Sequence, residues 1–129
     1  MASGKAEATI ERSPDDIWKV LREFGAVAEY MPGIDKCALD GDVRTIDTMG
    51  IQIKEQLRNL DDAKREISYS VVESPMGNLE SHLATITVAP EGNGSHVTWA
   101  VDVSPDELLG LFLPVYEGSV AALKQQFEA

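Results

Sequence analysis

The chain has 129 residues, 43% of them apolar and 26% charged, proportions that fit one soluble globular domain burying roughly two-thirds of its unfolded surface. Its formal charge of -11, with no cluster of Lys and Arg, argues against nucleic acid and anionic membrane surfaces as partners. The one cysteine, Cys37, cannot form an internal disulfide and is expected to be a reduced, half-buried filler.

The N-terminal stretch MASGKAEATI lacks the apolar core of a secretory signal, and no run reaches membrane-spanning length. A cytoplasmic protein without membrane insertion is therefore expected. Lys5 to Glu11 alternates, with Ala6, Ala8 and Ile10 on one face, and predicts a first strand. In SPDDIWKVLREFG, Ser13 can cap a helix and Pro14 suits its first turn. Asp15 and Asp16 favour the positive end of the helix dipole. Ile17, Val20, Leu21 and Phe24 follow at helical spacing, and Gly25 is expected to stop the helix. AVAEYMPG predicts a second, short helix ended by Met31-Pro32-Gly33.

From Ile34 to Val103 strand follows strand. Turn signals fall near Asp40-Gly41, Met49-Gly50, Asp61-Asp62, Ser74 to Asn78, and Glu91 to Gly94. SPDE at Ser104 to Glu107 repeats the capping logic, with Glu107 as a capping-box partner. The last segment places Leu113, Tyr116, Val120, Leu123 and Phe127 along one seam of a helix, and Pro114 predicts a break or a new start there. The order is strand, two helices, six strands, long helix. That is an α+β class, with a mainly antiparallel sheet bent around the final helix.

Alternation then assigns faces. A turn at Met49-Gly50 sets Thr48 against Ile51, Ile46 against Ile53 and Arg44 against Glu55, so an ion pair shares the apolar face with three isoleucines. Val43, Thr45, Asp47, Gln52, Lys54, Gln56 and Arg58 belong to the wet face. Ile67, Tyr69 and Val71 face inward, opposite Glu66, Ser68 and Ser70. Val97, Trp99, Val101 and Val103 form another inward set, with His96 outward. His82, Ala84, Ile86 and Val88 share the apolar parity, and Ile86 falls opposite Trp99. The inward face is thus mostly aliphatic, with Arg44, Glu55, Tyr69, His82 and the Trp99 N–H as polar exceptions. Arg44 and Glu55 read either as a cross-strand surface pair or as a buried pair that orients a guest. Tyr69 and Trp99 read as core residues with satisfied polar tips or as ligand contacts.

Three stretches, IERSPDDIWKVLREFGAVAEYMPGI, GIQIKEQLRNLDD with REISYSVVESP, and HLATITVAP with VTWAVDV, together resemble the START-like, or SRPBCC, superfamily, and within it the polyketide cyclase/dehydrase-like group. The likeness runs from about Ala6 to Phe127. It implies a helix-grip fold: a seven-stranded antiparallel sheet wrapped around a long C-terminal helix, two short helices between strands 1 and 2, and an apolar cavity. Members include lipid and sterol carriers, hormone receptors and enzymes acting on polyketides, so the fold does not choose an activity. Two departures stand out: His82 occupies a position where relatives often carry an aromatic, and SPMGNLES is less proline-rich than the matching connection.

The leading expectation is a single domain over residues 1–129 that binds a hydrophobic small molecule such as a lipid, polyketide or aromatic compound. The ligand-binding set is Arg44, Ile46, Ile53, Glu55, Tyr69, Val71, His82, Ala84, Trp99, Val101, Phe112 and Tyr116, with Arg44, Glu55, Tyr69 and His82 fixing orientation. The alternative is a cofactor-independent cyclase or dehydratase in which His82 or Glu55 moves a proton. A third reading makes Leu108 to Tyr116, LLGLFLPVY, a docking face for a partner protein; closing the cavity mouth is the plainer role for it. HExxH, CxxC and phosphate-cradling glycine loops are absent from the sequence, so neither cofactor nor metal is expected. Asp15-Asp16 and Asp61-Asp62 are explained by a helix start and a turn. A monomer or weak homodimer is expected.

Overall fold

The computed structural model describes residues 1–75 and 77–129. Strand β1 (Ala2–Ile10) leads through Glu11 to Ser13 into helix α1 (Pro14–Leu21) and a 3-10 segment (Phe24–Glu29). Six strands follow: β2 (Ile34–Asp40), β3 (Val43–Thr48), β4 (Ile51–Asp61), β5 (Glu66–Glu73), β6 (Ser81–Glu91) and β7 (Gly94–Ser104). A 3-10 turn (Asp106–Leu108) then opens the 20-residue helix α2 (Leu109–Glu128). The seven strands form one antiparallel sheet in the order β1-β7-β6-β5-β4-β3-β2. β2 to β7 are thus a meander, and β1 closes on the far side of β7. This is the α+β helix-grip arrangement. No helix among the described residues is long and apolar enough to cross a membrane. The turn signal at Ser74 to Asn78 includes Met76, which lies outside the described residues.

Local chemistry explains most boundaries. Ser13 caps α1, its hydroxyl accepting the Asp16 N–H at 3.3 Å, and Pro14 occupies the first turn. The helix ends at Leu21, short of Gly25. Just beyond it, the Phe24 carbonyl accepts a bond from Arg44. Gly25 serves close packing, because a Cβ there would come within 3.1 Å of Leu39. AVAEYMPG contributes to the second short helix, a 3-10 helix that begins at Phe24 and ends at Glu29. Met49 and Gly50 both take positive φ, 50° and 79°, as a tight hairpin with the twist of its strands requires.

Three expectations near the ends are corrected. Ser104 pairs with Ser81 in the β6–β7 ladder and donates to Glu80, so it cannot cap a helix. α2 runs unbroken through Pro114. Its ring removes a donor for Gly110, but both residues are exposed, so water reaches the freed carbonyl. The buried seam of α2 is Phe112, Tyr116, Ser119, Val120 and Leu123, whereas Leu113 and Phe127 are half-buried. At its far end, Lys124 Nζ donates to the Thr9 carbonyl at 2.6 Å and Glu128 accepts the Glu11 N–H at 2.9 Å, tying the helix to β1.

The core lies between the concave side of the sheet and α2, with α1 closing one end. Trp18, outside the helical stripe read from the sequence, is buried and its indole N–H donates to Asp62 at 2.8 Å. Asp62 also takes Arg22 at 2.9 Å, which together with the Trp18 bond draws its carboxyl below the usual range. It is thus a docking point for α1 as well as a turn residue. Ser68 and Ser70, assigned to the wet face, are nearly as covered as the core. Their short side chains lie in the ladder beside Asn59, Thr85 and Gln56, which overtop them.

Candidate functional site

The β3–β4 register sets Arg44 against Glu55 and Ile46 against Ile53. Period-two alternation turns all four side chains toward the concave face. A bulge beside Glu55 leaves it opposite Val71, and a second at Arg58 restores the inward parity at Leu60, opposite Ile67. Arg44 is 2% exposed and Glu55 8%, so the pair is buried and the surface reading is excluded. Arg44 Nε and Nη2 both donate to Glu55 Oε1, at 2.8 and 2.7 Å, and Nη1 donates to the Phe24 carbonyl at 2.9 Å. The guanidinium also lies over the Phe24 ring (4.0 Å) and the Tyr69 ring (4.5 Å), contacts that favour a desolvated cation.

An arginine does not give up its proton in a protein, so a buried one needs a counter-ion. Glu55 supplies it. Burial raises the Glu55 pKa above the ordinary carboxylate value, against the pull of Arg44. Both bonds from Arg44 fall on Oε1, and among the described residues no donor meets Oε2.

A second polar group lies behind this pair. His82 Nδ1 accepts the Val71 N–H at 3.1 Å, which leaves the proton of the neutral ring on Nε2, bonded to the Tyr116 hydroxyl at 2.9 Å. The Trp99 indole N–H donates to the Tyr69 hydroxyl at 3.2 Å. Burial pushes the Tyr69 and Tyr116 phenols up, and holds Tyr30 at about 12. His82 itself is lowered from 6.5 to about 4 by burial. The unfolded chain therefore takes up this proton at higher pH than the native one, and stability falls as pH drops from 6.5 toward 4. Between pH 7 and pH 4.5 this group should remove about 2–3 kcal/mol. Urea titrations at the two pH values should show that loss in the wild type and a correspondingly smaller one in His82→Gln, which keeps a donor and an acceptor without titrating.

A cavity of about 220 Å³ opens between the β2–β4 part of the sheet and the first half of α2. Five of the residues expected to bind a ligand line it: Ile46, Ile53, Glu55, Phe112 and Tyr116. The other seven do not. Arg44 lies behind Glu55. Tyr69, Ala84, Trp99 and Val101 are packed core, and Val71 and His82, bonded to each other, stand one layer behind the wall. The void thus lies against the β2–β4 half of the concave face. Aromatic rings fill the β5–β7 half: Trp99 stacks on Tyr116 at 5.0 Å and meets Tyr30 at 6.4 Å, and His82 meets Phe112 at 4.7 Å. Both ring nitrogens of His82 are bonded within the protein, and the ring reaches the cavity only through the Tyr116 hydroxyl.

The rest of the wall lies outside the expected ligand-binding set: Met31, Pro32, Ile34, Thr48, Met49, Ile51, Leu111 and Val115. Thr48 and Ile51 carried a usable signal, since they extend the inward alternation of the hairpin. Leu111 and Val115 are one helical turn apart beside the buried seam, in the stretch expected to close the cavity mouth. In LLGLFLPVY, Leu108, Phe112 and Tyr116 turn inward while Leu111 and Val115 stay exposed at the mouth, near Met49 at the hairpin tip. A wider groove of about 590 Å³ runs between β1 and α2 past Lys5, Glu7, Glu117 and Lys124. It is shallow and charged, unlike the apolar cavity.

The chain is similar to XoxI from Bacillus cereus, with 29% identity over 99% of this chain and 96% of that one and a TM-score of 0.91. A Bacillus thuringiensis protein of uncharacterised role matches at 26% identity over 99% and 100% of the two chains, with a TM-score of 0.90. Ginseng major latex-like protein 151 from Panax ginseng shares the fold, with a TM-score of 0.83 at 17% identity over 99% and 98%. No curated protein matches the sequence. The model of the family described as polyketide cyclase / dehydrase and lipid transport matches residues 1–128, and the chain belongs to that family.

Proposed function

We propose that the protein binds a compact hydrophobic small molecule in the cavity between β2–β4 and α2, for carriage or sensing. The observation that carries this reading is the void itself: about 220 Å³, walled by aliphatic and aromatic side chains, with a mouth at Met49, Leu111 and Val115. The family description and the helix-grip fold support it. A void of roughly 150 Å³ takes benzene, and drug-sized sites begin near ~300 Å³. The buried part of the guest is therefore a single ring with a short substituent, or a short chain, and anything longer projects past Met49.

Burying such a ring returns about 4–6 kcal/mol, from which association costs are subtracted, so binding of a purely apolar guest is expected to be millimolar or weaker. Propylbenzene is the probe. Its titration should move the amide resonances of Ile46, Ile53 and Phe112, and Ile53→Trp, which fills the void, should weaken binding at least ~10-fold. Unchanged affinity in a folded Ile53→Trp, or shifts clustered elsewhere, would sink the proposal. Native mass spectrometry of freshly purified protein tests the same reading without a chosen probe.

A further inference from the structure

Resting on the cavity reading above, we propose that the site selects guests whose buried end carries a hydrogen-bond donor, a hydroxyl or an amine, and rejects carboxylic acids. Three polar side chains reach the wall: Thr48, Glu55 and Tyr116. The Thr48 hydroxyl donates to the Gly33 carbonyl at 2.7 Å, and the Tyr116 hydroxyl accepts from His82 Nε2 at 2.9 Å. Both are held by the protein itself.

Glu55 differs. Arg44 approaches Oε1 with two nitrogens, and among the described residues no donor meets Oε2, although the residue is more than nine-tenths buried. Arg44 does not line the cavity, so the carboxylate stands between that cation and the guest. A donor on the guest completes the bonding of a desolvated anionic oxygen, and a hydrogen bond to a charged group is among the stronger kinds. A methyl in the same place strips water from Oε2 and returns nothing. A carboxylate there brings a second negative charge against the first in an apolar site, which disfavours it further. The class selected is thus a phenol, an alcohol or an amine on a small apolar body.

The test is a matched series titrated into the wild type by calorimetry at neutral pH: para-propylphenol, para-propylaniline, para-propyltoluene and para-propylbenzoate. The phenol and the aniline are expected to bind at least ~10-fold more tightly than the toluene, and the benzoate more weakly than the toluene. In Glu55→Gln the amide oxygen takes the Arg44 bonds and the amide N–H₂ turns to the void. The phenol's advantage should then vanish, and para-propylacetophenone, which brings an acceptor, should overtake it. Equal binding of phenol and toluene to the wild type, or tightest binding of the benzoate, overturns the donor rule and leaves the cavity reading standing. A folded Glu55→Gln that keeps the wild-type order overturns it too. If that variant does not fold, the wild-type order decides alone. Failure of every probe to bind overturns both the rule and the reading beneath it.

Discussion

Glu55→Ala is expected to destabilise the protein by about 3–5 kcal/mol, because it leaves the buried Arg44 without a counter-ion. The guanidinium cannot escape to water: the Phe24 and Tyr69 rings both pack against it, and its Nη1 is bonded to a main-chain carbonyl. Arg44→Ala should cost a similar amount for a different reason, since it strands the carboxylate and empties the space between two rings. The paired replacement Arg44→Met/Glu55→Leu removes both charges and keeps most of the volume. It should recover most of the loss, and such exchanges are often neutral or stabilising. Urea denaturation of the four proteins at neutral pH measures these differences. If Glu55→Ala loses less than about 1 kcal/mol, the pair is solvated like a surface one and the burial argument fails. The double variant is also useful for function, since it should fold, retain the cavity and bind phenol and toluene alike.

Trp99→Ala is the second large effect, at about 3–5 kcal/mol. Trp99 is fully buried on β7, stacked against Tyr116, tilted against Tyr30 and bonded to the Tyr69 hydroxyl. Four separate elements meet at this ring, so its loss cannot be repaired by one neighbour moving in. Trp99→Phe keeps most of the packing and drops the N–H, and should cost nearer ~1–2 kcal/mol. The consequence for the site is specific. Tyr116 forms part of the cavity wall, and with its stacking partner gone the void should extend toward β7. Free indole should then restore part of the lost stability in thermal melts of Trp99→Ala while leaving the wild type almost unaffected. No rescue, with a loss below ~1 kcal/mol, would mean that Trp99 is loosely packed.

The His82 profile complements these substitutions, because it reports on the same core through pH and not through volume. A histidine kept neutral by burial gives stability that is complete above its unfolded pKa and lost on acidification. The protein's excess of acidic residues adds its own acid dependence, so the comparison with His82→Gln isolates the ring.

The sequence alone determined what depends on short-range chemistry. Ser13-Pro14 started a helix, Met49-Gly50 turned a hairpin, and alternation put Arg44, Ile46, Ile53 and Glu55 on one face, because a strand's period and a turn's φ angles are local properties. The order of elements, together with the family resemblance, led to the helix-grip fold. The tertiary structure alone decided how deep Arg44 and Glu55 lie and which carboxylate oxygen stays unbonded. It also decided which half of the concave face is hollow. That outcome depends on rings supplied by Tyr30, Tyr69, Trp99 and Tyr116, far apart in the chain, and on how α2 rests across them. Side-chain volumes from distant segments must be summed in one place before a void exists, and no window of sequence contains that sum.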